Sequence, residues 1–143
     1  MSNKGKLGLA VAGLVMIGGA AVAAGPLAAL ADVEPGKWEL RERDGKGARM
    51  ICVAQPMELF QVRHVAGGCQ HRVVESSARS ATVSYTCPGV GQGRTAVTVE
   101  TGRLVQIDTQ GVSRGMPFAS AYEARRVGDC AAAAEPNRRR RAG

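Results

Sequence analysis

His64 and His71 are the only two histidines in this chain, so they and their neighbours are the first residues to weigh for chemistry. A serine or cysteine nucleophile needs a histidine within hydrogen-bond reach and a third group to orient the ring. Glu75, Ser76, Ser77 and Ser80 follow His71 closely, which supplies the raw materials of a small hydrolase site. No serine sits in a Gly-x-Ser-x-Gly elbow, however. His64 closes a polar turn and His71 opens a strand, the positions of ordinary, partly exposed side chains. Paired carboxylates are the second candidate, because two of them flanking a glycosidic bond suffice for hydrolysis. Glu39, Glu42, Glu100 and Glu123 fall on outward strand faces among Arg and Lys, a pattern that reads as solvated cross-strand ion pairs. Gly89-Val90-Gly91-Gln92-Gly93 has the glycines of a phosphate loop without the following helix or the Lys-Ser/Thr step, and reads as a flexible turn between strands.

Cysteine offers the third chemistry. Cys52, Cys69, Cys87 and Cys130 are separated by 17, 18 and 43 positions, whereas structural zinc favours pairs two to four residues apart. Nor is there a Cys-x-x-Cys for disulfide exchange. No metal set and no cofactor motif is therefore expected, and two structural disulfides are. Four cysteines allow three pairings. The favoured one joins Cys52 to Cys69 and Cys87 to Cys130, because Cys52 ends one strand and Cys69 begins the next.

Disulfides require an oxidising compartment, and the start of the chain provides a route to one. Lys4 and Lys6 precede an uncharged apolar run over 7–24, and Ala29-Leu30-Ala31 presents small residues at the two positions a signal peptidase reads. The expected leader is 1–31, with cleavage near Ala31–Asp32 and a periplasmic or secreted product. The rival is an uncleaved membrane anchor, since the run approaches the ~20 residues that span a bilayer. Its dilution with Gly and Ala, and the helix-breaking Gly25-Pro26, favour cleavage.

The elements that must position these residues are mostly strands. Alternation runs nearly throughout 36–127. Ala81, Val83, Tyr85 and Cys87 share one face, opposite four hydroxyl residues. Val97 and Val99 face inward on the next strand, with Arg94, Thr98 and Glu100 outward. A turn at Gly102 returns the chain with Val105 and Ile107 inward. Trp38 with Leu40, and Phe118 with Ser120, Tyr122 and Ala124, mark the first and last strands, the latter after a turn-rich 110–117. His71, Val73 and Glu75 mark a weaker one. Pro56, Met57, Phe60 and Gln61 predict one short helix or turn within 55–64, covering one end of the sheet. The predicted fold is mainly β: an antiparallel sandwich or partly closed barrel of about seven strands, over 32–130.

Charge narrows the partners. The formal charge is +7, yet Lys4 and Lys6 lie in the leader and Arg138, Arg139, Arg140 and Arg141 at the far end. Residues 32–137 then hold 13 basic against 12 acidic side chains, too balanced for a nucleic-acid face. Residues 131–143 read as a disordered basic tail, whose four arginines are weak candidates for contact with an anionic envelope surface.

Pro35-Gly36-Lys37-Trp38-Glu39-Leu40, a first cysteine followed by a short Pro-containing helix, and a closing Arg126-Val127-Gly128-Asp129-Cys130 together resemble an exported bacterial family, domain-of-unknown-function family 3617. The resemblance covers about 34–130 and leaves the arginine tail outside. It implies an exported, disulfide-bonded, mostly β domain of the cell envelope, and brings no activity or site residues. The expected function is a non-catalytic envelope binding or interaction module. The alternative is a small periplasmic hydrolase with a histidine-based site.

Overall fold

The computed structural model describes residues 27–64 and 68–131. The expected leader up to residue 26 and the basic tail lie outside them. Seven strands follow in order: β1 (Gly36–Glu42), β2 (Ala48–Val53), β3 (Gln70–Ser76), β4 (Ser80–Cys87), β5 (Gly91–Thr101), β6 (Leu104–Ser113) and β7 (Met116–Gly128). They form one antiparallel sheet in the order β2-β1-β7-β6-β5-β4-β3. The sheet does not close; β2 and β3 are its two edges. No second sheet exists among the described residues, so the apolar face is covered by other means.

Two 3₁₀ segments do the covering. One spans Ala28–Leu30 and the other Pro56–Gln61. The second occupies the stretch expected as a short helix or turn, and is a 3₁₀ helix. Gln55 ahead of it is extended, as a residue before proline prefers, and Leu59 and Phe60 are the side chains it buries. Sheet and cover enclose Trp38, Leu40, Val83, Val97, Val105, Ile107, Tyr122 and Ala124, all at or below 1 % exposure. The alternating faces read from the sequence are the faces observed on β1, β4, β5 and β6.

Two stretches expected as turns are strand instead. Gly91, Gln92 and Gly93 belong to β5, and β6 continues to Ser113 before a two-residue turn at Arg114-Gly115. Both turn residues have positive φ, at 51° and 78°, the conformation that fits the twist of a tight hairpin. The glycines hid the strands because they carry no side chain to alternate. Their bareness has a use: a Cβ on Gly93 would lie 2.5 Å from the Tyr85 hydroxyl, and one on Gly91 would lie 2.8 Å from Nε2 of His64.

The cysteine pairing differs from the favoured one. The bonds are Cys52–Cys130 and Cys69–Cys87, and no described cysteine is free. Sequence neighbours β2 and β3 are not sheet neighbours; they sit on opposite edges, which keeps Cys52 from Cys69. β3 pairs with β4 instead, in a register that sets Gln70 against Thr86 and so Cys69 against Cys87, with their Cα atoms 4.1 Å apart. At the other edge, Lys37 of β1 has Cys52 on one side and Gly128 on the other. Two more residues carry the chain to Cys130, and the bond straddles β1.

Candidate functional site

The two ends that carry the family resemblance meet in space. β1 pairs with β7, so Gly36 of the opening motif lies beside Arg126 and Gly128 of the closing one. Arg126 donates from Nε to the Pro35 carbonyl at 2.7 Å, and its guanidinium reaches the carboxylates of Asp129 and Glu34. Trp38 donates its indole N–H to the Glu34 carbonyl at 3.1 Å while its ring is fully buried. Gly36 has φ +144°, and a Cβ there would meet Arg126 Nε at 2.7 Å. These residues form a structural clasp that Cys52–Cys130 then fastens. Their chemistry is positioning.

His64 is buried, at 2 % exposure. Nδ1 is 2.9 Å from the Tyr85 hydroxyl, and the imidazole makes ring contacts with Tyr85 and Phe118. Arg63 lies over the other part of this cluster, 5.2 Å from the Phe118 ring centre. Burial, followed by the nearby Arg63 charge, holds the His64 pKa below its ordinary value, against a smaller opposing effect of the Val112 carbonyl. Nε2 has no hydrogen-bond partner among the described residues. Burial likewise raises the Tyr85 pKa, partly offset by Thr109. Further along the core, Thr95 bridges the Phe60 carbonyl and Thr109, both at 2.7 Å. This polar thread pins the second 3₁₀ helix to β5 and β6. The sequence reading missed the two buried threonines; their even spacing with Val97 and Ile107 was the available signal.

The other sequence candidates are dispersed. His71 is exposed and bonds through Nε2 to the Gln61 side chain at 2.8 Å. Ser77 and Ser80 bond to each other across the β3–β4 turn at 2.9 Å. Neither histidine has a hydrogen bond to a serine or a carboxylate among the described residues. Glu39 and Glu123 pair with Arg41 and Arg125 along their own strands, at 3.3 and 3.4 Å, rather than across strands. The register does set Glu39 against Arg125 and Arg41 against Glu123, so the four charges still form an alternating square. Glu100 accepts from Gln106 at 2.9 Å. Arg138, Arg139, Arg140 and Arg141 lie outside the described residues.

What the sheet does bring together is on the face opposite the core. Register aligns Thr82, Ala96, Asp108 and Ala121 in one row across β4, β5, β6 and β7, and Ser84, Arg94, Gln110 and Ala119 in the next. Small side chains make a floor, and Arg94, Gln110 and Asp108 rise from it. The result is an open trough of about 570 Å³, to which the β1–β2 turn contributes Asp44. Arg43 of that turn pairs with Asp108 and fixes this end. Asp44 is held below the usual carboxylate range by its hydrogen bonds from Lys46. A second recess of about 560 Å³ shares Arg94 and Gln110 and runs toward Gln92 and Val112. Arg94 has no ion pair among the described residues. The sequence showed Arg94 facing outward; which residues of the other strands stand beside it depends on register, which alternation alone does not supply.

In composition the trough offers hydroxyls, an amide, a guanidinium without an ion pair among the described residues, and two acids paired with Arg43 and Lys46. No curated protein and no solved structure matches the chain. Residues 33–130 match the family described as a protein of unknown function (DUF3617), and over that span, clasp and disulfide cysteines included, the chain belongs to it.

Proposed function

We propose that this protein works outside the cytoplasm as a disulfide-braced, non-catalytic binding module, with the polar face of β4–β7 as its contact surface. The ligand class is a small hydroxylated molecule bearing a carboxylate or similar anion. The observation that carries this reading is Arg94, a guanidinium without an ion pair standing over a floor of alanines and hydroxyls in a trough of ligand size. A guanidinium meets a carboxylate through two parallel hydrogen bonds, and Thr82, Ser84 and Gln110 supply donors and acceptors for hydroxyls. The shallow, open shape fits weak, exchanging binding. Two disulfides agree with an oxidising compartment. The arginine tail extends the same reading, as a weak attachment to anionic lipid.

Glucuronate is a suitable probe, since it offers one carboxylate and a ring of hydroxyls. Titration into the oxidised, isotope-labelled protein is expected to shift backbone amide resonances of outward residues on β4–β7. Arg94→Ala is expected to weaken binding roughly tenfold or more, the loss of a charge-assisted contact. No shifts in the wild type, or equal affinity in the variant, would remove this face as the binding surface.

A further inference from the structure

We propose that the leader is cut upstream of Leu27, after Ala23, and that residues 27–31 stay in the mature protein as part of its core. This rests on the export reading above but moves the cut away from the Ala31–Asp32 bond. Ala29 and Leu30 are only 4 % and 5 % exposed, and Leu27 packs against the same cluster. Their 3₁₀ turn lies against β4 and β5. Hydrogen bonds tie this segment to itself and to the sheet: Leu30 N–H to the Leu27 carbonyl at 2.9 Å, Val33 N–H to the Leu30 carbonyl at 3.1 Å, and Glu34 N–H to the Gly102 carbonyl at 2.8 Å. A cut after Ala31 would delete a buried leucine and expose the apolar surface it covers. Leader peptidases act on the unfolded chain, so the fold does not block that bond; it shows which product is complete.

The sequence supplies the second line independently. Ala21-Val22-Ala23 offers the same small-x-small pattern as Ala29-Leu30-Ala31. Counting from it, the apolar stretch is Leu7 through Ile17, followed by Gly18-Gly19 and a short small-residue segment. That length falls within the roughly 7–15 apolar residues of an ordinary leader, whereas the uninterrupted run to Ala24 exceeds it.

The test expresses the full chain with its own leader and recovers the exported protein. Intact mass and N-terminal sequencing are expected to show a start at Ala24. An oxidised product starting at Asp32 would overturn this assignment and leave the export reading standing. A chain that keeps its leader would overturn it too, and free thiols in that chain would end the export reading as well. The substitution Leu30→Ala in the same precursor gives an independent readout. If residue 30 is retained, the mature variant should melt about 10 °C lower or more, the usual scale for truncating a buried leucine in a domain this small. If the cut falls after Ala31, wild type and variant yield the same mature chain and melt together.

Discussion

At the scale of single residues, His64 has the most exacting environment in the molecule. Its ring is wedged between Tyr85 and Phe118, one nitrogen bonds to a phenol, and the space it fills exists because Gly91 lacks a side chain. Adding a proton places a charge in an apolar cluster close to Arg63, which is why the folded pKa lies below that of an exposed histidine. The unfolded chain has no such penalty. Well above pH 6.5 both states are neutral at this site and it contributes no pH dependence; as pH falls through about 6.5 the unfolded state binds the proton first, so stability falls. The slope is bounded by roughly 1.4 kcal/mol per pH unit. Urea unfolding between about pH 7 and pH 5 should therefore show a progressive loss of stability in the wild type as pH falls. His64→Gln keeps a polar group beside Tyr85 and cannot titrate. It should start less stable and have a flatter profile, and parallel profiles would mean that His64 titrates in the fold as it does in the unfolded chain.

At the scale of elements, the joining of β1 to β7 explains why two short motifs far apart in sequence occur together. Pro35-Gly36 and Arg126 form one hydrogen-bonded corner, and Gly36 must be bare because its Cβ would lie 2.5 Å from the Gly128 carbonyl oxygen and 2.7 Å from Arg126 Nε. Gly36→Ala should cost about 1–3 kcal/mol from backbone strain alone, and more from displacing Arg126. Gly45→Ala is the control: φ there is +78° and nothing lies within 4 Å of an added methyl group. Thermal melts should show the larger loss at Gly36, while equal losses would mean that positive φ alone, and not the clasp, requires glycine there. Strand faces were legible in the sequence because β-branched and aromatic residues alternate, as in Ala81, Val83 and Tyr85. The 91–93 strand was not, since glycine carries no pattern, and neither was the β6–β7 turn, where Arg114 adopts a conformation usually left to Asn or Gly. The trough was illegible for a different reason. Arg94 joins Gln110 and Ala119 only through register, and a one-residue slip would put each of them on the other face.

At the scale of the whole molecule, one open sheet with a thin cover on one face depends on its cross-links. Cys69–Cys87 joins strands that are already hydrogen-bonded neighbours, at a sequence separation of 18. Cys52–Cys130 ties edge strand β2 to the end of the fold, across 78 residues. If a disulfide acts chiefly by restricting the unfolded chain, the longer loop should be worth more, by about 1.3 kcal/mol on the logarithmic scale of loop closure. Packing predicts the reverse order, because Cys87 is buried at 3 % exposure whereas Cys52 lies on the exposed side of an edge strand. The paired variants Cys52→Ala with Cys130→Ala and Cys69→Ala with Cys87→Ala separate the two effects in urea unfolding. We expect the first pair to lose more stability, since it also frees the clasp and the β2 edge that Cys52 holds against β1. A larger loss from the second pair would mean that the buried sulfur at the β3–β4 end, beside Tyr85 and the His64 cluster, contributes more to the fold than the constraint on the chain.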